Sequence, residues 1–84
     1  MRPMKVRLLF FAVLRDIAGT DAAEWSLDEG TTASDVWQRL RGAYAQLSDY
    51  TQPPMIAVNE SYAGPETVLR EGDELAFIPP VAGG

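Results

Sequence analysis

The chain has 84 residues, room for one domain and one modest core. Apolar residues make up 46% and charged residues 23%, an ordinary globular balance, but there is no Cys and no His. Disulfides, thiolate chemistry, Cys-based metal sites and the commonest general base are excluded, and a net charge of −5 with a single lysine (Lys5) argues against nucleic acid as a partner.

At the N-terminus a basic stretch, Met1 to Arg7, precedes the apolar run Leu8 to Leu14. This looks superficially like a secretory leader. The run is short, Arg15-Asp16 follows at once, and no small-x-small cleavage site is present. It is also too short to cross a membrane. A buried strand in a cytoplasmic protein is the expectation. That strand should run from residue 5 to about 12, with Val6, Leu8 and Phe10 on the core face. Lys5, Arg7, Leu9 and Phe11 fall on the other face, which starts charged and ends apolar. Phe11 is therefore either an exposed apolar spot or a residue covered by a helix or loop.

Val13 to Ala18 reads as an irregular turn or short helical piece, and Gly19-Thr20-Asp21 as a turn. Glu24 to Leu27 alternates and should form a second strand, antiparallel to the first. Thr32-Ala33-Ser34-Asp35 fits a capping box, with Thr32 as N-cap. Val36, Leu40, Tyr44 and Leu47 then recur at helical spacing, which predicts one amphipathic helix over about 33–47. Trp37 lies beside that stripe and is expected to be half exposed. Ser48 to Pro54 is a loop. Met55 to Val58 is a third strand, Asn59-Glu60 a hairpin turn and Ser61 to Ala63 a brief return strand. Around Thr67-Val68-Leu69 a short turn should pack Val68 or Leu69 inward. Glu71-Gly72-Asp73 is a tight turn that launches a final strand in which Leu75 and Phe77 alternate with Ala76 and Ile78.

The order β-β-α-β-β-β predicts an α+β fold of the ubiquitin-like β-grasp type. It is a single domain over 1–84, with a mixed sheet of four to five strands and one main helix across one face. The first and last strands are the most apolar and belong at the centre. Beyond the last strand, Pro79 and Pro80 have no N–H to donate and stiffen a flexible tail, residues 79–84. At roughly 3.1–3.5 Å per residue the tail would project about 20 Å. Gly83 and Gly84 lack Cβ atoms and could pass a channel too narrow for any side chain. A terminal carboxylate is inert until activated, and from Pro79 onward there is no Lys, Arg, His, Cys or Ser to activate it. No paired-carboxylate, phosphate-loop or zinc spacing occurs elsewhere. The chain is thus expected to have no catalytic site of its own and to supply the group on which a partner works.

The segments Val6 to Gly19, Ala57-Val58-Asn59-Glu60 and Gly72 to Gly84 resemble the small, sulfur-carrying subunit of molybdopterin synthase, the MoaD type of the MoaD/ThiS ubiquitin-like family. Phe-Phe-Ala near the start and Phe-Ile-Pro-Pro-Val-x-Gly-Gly at the end carry the resemblance, which spans nearly the whole chain. It implies that an E1-like adenylating enzyme uses MgATP to adenylate the Gly84 carboxylate, this chain itself binding no cofactor. Sulfur from a persulfide then makes a thiocarboxylate. The tail enters the large synthase subunit, within a heterotetramer, and donates sulfur to a pyranopterin precursor in building the molybdenum cofactor. The resemblance further implies that Phe11, Tyr62, Ile78, Pro79, Pro80 and Val81 bind these partners, with Gly83 giving clearance. It implies no nucleic-acid or membrane partner. Tyr62 departs from the aliphatic residue usual in the family. The alternatives are a ubiquitin-like modifier conjugated through Gly84 and a carrier for another sulfur pathway such as thiamine. Thiamine carriers are usually shorter and lack the Phe-Ile-Pro-Pro-Val run.

Overall fold

A computed structural model describes residues 3–49 and 54–78. The elements follow one another as β1 (Met4–Phe10), α1 (Val13–Ala18), β2 (Ala22–Leu27), α2 (Ala33–Ala43), a 3₁₀ turn (Ala45–Asp49), β3 (Met55–Val58), β4 (Ser61–Ala63) and β5 (Glu74–Ile78). The strands form one five-stranded sheet in the order β2-β1-β5-β3-β4. β1 and β5 are parallel neighbours at its centre, Leu8 opposite Leu75 and Phe10 opposite Phe77, and the other pairings are antiparallel. Central placement follows from composition: these strands bury Val6, Leu8, Phe10, Leu75 and Phe77 at 5% exposure or less.

Helix α2 covers the core face of the sheet. Its capping box forms as expected: Asp35 N–H donates to Thr32 Oγ1 at 3.2 Å, and Thr32 N–H donates to Asp35 Oδ2 at 3.0 Å. The loop after β4 completes the helix start, where Ala33 and Ser34 N–H groups donate to the Thr67 and Pro65 carbonyls. Two expectations for this region are corrected. The helix ends at Ala43, not at 47, because Tyr44 turns extended (φ −123°, ψ 108°). A 3₁₀ turn then returns Leu47 to the core. Trp37 is not half exposed but 3% exposed, its ring 5.7 Å from that of Phe77. A core-facing helix buries a stripe wide enough to hold adjacent positions, here Val36 and Trp37 together.

Smaller departures lie at the ends of elements. β1 spans Met4–Phe10, so Phe11 is outside the strand, and β2 begins two residues early, at Ala22. Val13–Ala18 is a true α-helix that buries Leu14. Of the pair Val68 and Leu69, Leu69 turns inward (2% exposed) and Val68 outward (54%). The Ser48–Pro54 loop falls partly outside the described residues.

The hairpin turn at Asn59-Glu60 is a two-residue link between paired Val58 and Ser61, both turn residues having positive φ (51° and 71°). Asn59 also ties this hairpin to β5. Its Nδ2 donates to Asp73 Oδ1, and its Oδ1 accepts from Glu74 N–H, both at 2.9 Å. Before β5, Gly72 adopts φ 85° and donates its N–H to the Lys5 carbonyl at 2.7 Å, a left-handed position suited to glycine.

Candidate functional site: an apolar sheet face beside the tail

One face of the sheet receives α2, and the opposite face stays open. Residues reach it by strict alternation, since successive strand side chains point to opposite sides. Near the start of β1 and β5 this face is charged: Arg7 stands between Glu24 and Glu74 in register, and Lys5 beside Ser26. Towards the other end it turns apolar. Leu9 pairs with Ala76, Ala76 with Ala57, and Ala57 with Tyr62, an apolar row across four strands. One step further, Ile78 pairs with Met55. Phe11 follows Phe10, whose register partner is Phe77, so it emerges beside Ile78.

Together Leu9, Phe11, Ala57, Glu60, Tyr62, Glu74, Ala76 and Ile78 line one shallow groove. Phe11 is 47% exposed and Tyr62 74%, while Ile78 is half-buried. Of the two readings open for Phe11, the exposed one holds. The sequence-derived residues Phe11, Tyr62 and Ile78 thus share one groove. Met55, 52% exposed, belongs beside them and escaped the sequence reading. Its outward direction is legible from strand alternation, but its neighbour Ile78 is known only from the β3–β5 register. The remaining sequence-derived positions, Pro79, Pro80, Val81, Gly83 and Gly84, lie outside the described residues.

Because β5 runs from Glu74 to Ile78, its C-terminal end, Ile78, lies at the apolar end of the open face. Phe11 is held there by a tight turn, with Leu14 N–H donating to its carbonyl at 3.1 Å. Ala12, the first central residue of that turn, has φ 52° and ψ −128°, the conformation a II′ turn requires and glycine normally supplies. Among the described residues no cluster of three or more His, Cys, Asp or Glu is placed to hold a metal ion. No helix among them is long and apolar enough to cross a membrane. A contiguous exposed apolar face of this kind is the usual mark of an interaction surface.

The fold and this face define a ubiquitin-like β-grasp domain with an exposed apolar surface at the end of its last strand. Comparison narrows the class. Residues 8–84 match the ThiS family. The chain is 39% identical over 82 residues to the molybdopterin synthase sulfur carrier subunit of Mycobacterium tuberculosis, covering 96% of this chain and 99% of that one. It superposes on a putative molybdopterin converting factor, subunit 1, from Pyrococcus furiosus with a TM-score of 0.82 at 28% identity, covering 93% and 99% of the two chains. The small archaeal modifier protein 1 of Haloferax volcanii gives a TM-score of 0.79 at 27% identity, with the same coverage. This chain belongs to the MoaD/ThiS family.

Proposed function

We propose that the chain is the sulfur-carrying small subunit of a molybdopterin synthase. Gly84 is the working group: an E1-like enzyme adenylates its carboxylate with MgATP, releasing pyrophosphate. The outer sulfur of a partner's persulfide then displaces AMP to give an acyl disulfide, and a second thiol of that partner cleaves the S–S bond, leaving a Gly84 thiocarboxylate and a disulfide on the partner. The open face docks the large subunit while the tail enters it and delivers the sulfur to the pyranopterin precursor. The observation that carries this reading is the coincidence of the apolar end of the open face with the point where the chain leaves β5. A partner docked there meets the residue, Ile78, from which the C-terminal segment continues. The 39% identity to a sulfur carrier subunit supports the choice of pathway.

A second reading has its own support. The likeness to an archaeal modifier protein, at nearly the same TM-score as the converting-factor subunit, favours a conjugated modifier sharing the adenylation step. Intact mass of the protein from its own host, with fragmentation of the C-terminal peptide, separates the two. A carrier shows one oxygen-to-sulfur exchange located on Gly84 and trapped by a thiol alkylating agent. Localisation on the fragment distinguishes this from oxidation of Met1, Met4 or Met55, which adds nearly the same mass. Gly84 joined to a lysine of another protein would overturn the carrier reading.

A further inference from the structure

We infer that Asn59 is a positioning residue for the groove. With Asp73 it clasps the β3–β4 turn to the start of β5, and so holds Glu60 and Tyr62 in place along the groove they line with Glu74 and Ala76. The inference rests on the reading above, in which this groove docks the large subunit.

Little else holds β4. It is an edge strand of three residues, and β3 is its one strand neighbour. None of Ser61, Tyr62 and Ala63 belongs to the buried cluster or to the half-buried residues packed on it. Core packing therefore does not set where β4 stands, and its two ends must. Beyond Ala63 the chain is tied to α2, through the Pro65 carbonyl that accepts from Ser34 N–H. At the other end the tie is Asn59.

That tie engages the main chain of Asn59 and both ends of its amide. Its N–H donates to the Glu74 carbonyl at 2.8 Å. Its Oδ1 accepts from Glu74 N–H and its Nδ2 donates to Asp73 Oδ1, both at 2.9 Å. Asp73 is fixed in turn: its Oδ2 accepts from Arg70 N–H at 2.8 Å, and its carbonyl accepts from Arg7 N–H at 2.9 Å. The β3–β4 turn is thus fastened to β5 and, through Asp73, to β1, the two central strands. A hairpin needs none of this to close. Its turn requires only a left-handed backbone, which glycine or asparagine supplies.

Glu60 is held against its own preference. Its φ of 71° is left-handed, at the second position of a two-residue turn where glycine is usual. An L-residue with a long side chain stays there only where its surroundings fix it. The bonds of Asn59 are next to it in the chain, and the side chain they fix lines the groove. A strained residue and the clasp that holds it lie at the rim of the groove rather than in the core.

Three variants test this. Asn59→Gly keeps the turn, since glycine accepts the left-handed backbone, but loses both side-chain bonds. Asn59→Asp sets two carboxylates against each other. Asn59→Asp combined with Asp73→Asn restores every bond with donor and acceptor exchanged: the carboxylate accepts from Glu74 N–H and from the amide, whose oxygen accepts from Arg70 N–H. Each is measured by amide hydrogen exchange in β4, and by calorimetric titration with the large synthase subunit of the same organism at a temperature where all are folded. Asn59→Gly should exchange about ten-fold faster in β4 and bind about three-fold more weakly, and Asn59→Asp should bind about ten-fold more weakly. The double replacement should return both readings to within about two-fold of the unaltered chain. Faster exchange with unchanged binding in both single variants would make the clasp a support of the fold alone and overturn the inference. So would a double replacement that binds no better than Asn59→Asp, because the charge at position 59 would then matter and not the clasp. If the unaltered chain does not bind, the large-subunit reading fails instead, and the exchange rates still decide whether Asn59 holds β4.

Discussion

Phe11 is exposed because the sheet has ended one residue before it. The β1–β5 ladder closes at Phe10 and Phe77, and the strained turn at Ala12 then fixes Phe11 next to Ile78. Replacing both by alanine (Phe11→Ala with Ile78→Ala) removes the centre of the groove. The expected loss in large-subunit affinity is about 2–4 kcal/mol. Thermal unfolding should shift by only a few degrees, since Phe11 is 47% exposed and Ile78 only half-buried. Titration with the large subunit measures the first and a melt the second. A large drop in melting temperature with unchanged affinity would make both residues structural. The outward direction of both was legible from period-two alternation alone. Their neighbourhood followed from placing the two most apolar strands side by side at the centre of the sheet; the register, with Phe10 opposite Phe77, did not. Met55 escaped for the same reason, because only the pairing with Ile78 brings it to the site.

Among the elements, α2 shows which sequence signals are self-sufficient. Its start was readable because a capping box is a local device: within four residues, Thr32 and Asp35 each accept the other's backbone N–H. Its end was not, because apolar spacing continues through Tyr44 and Leu47 while the backbone has already changed to an extended residue and a 3₁₀ turn. Spacing records what is buried, not the helix type that buries it. Trp37 was misjudged by treating the stripe as one residue wide. The box should be worth its usual increment. Thr32→Ala is expected to cost about 1 kcal/mol and to lower the melting temperature by roughly 4–8 °C. Binding to the large subunit should be unchanged, since α2 lies on the opposite side of the sheet from the groove. An unaltered melt would mean that the contacts of Ala33 and Ser34 with the loop carbonyls already suffice.

At the scale of the molecule, three jobs occupy separate parts of the chain. The buried cluster, from Met4 to Phe77, holds the fold; on the function proposed above, the apolar end of the open face docks the partner and the residues after Ile78 carry the reacting group. Deleting Gly83 and Gly84 should therefore leave the melting temperature within experimental error while abolishing adenylation and thiocarboxylate formation. Pyrophosphate release by the activating enzyme and intact mass read the loss. A truncated chain that melts markedly lower would show that the tail helps to hold the fold. The parallel pairing of β1 with β5 bears also on how the protein is made. The sheet's central pair joins the first described strand to the last, so its key contacts are long-range and form late. A chain emerging from the ribosome cannot complete that pair until the residues of β5 have appeared. No partial product has a finished sheet, and so none has the docking face. The groove comes into being only with the last strand, which, on the function proposed above, would keep unfinished chains from competing for the activating enzyme or the synthase.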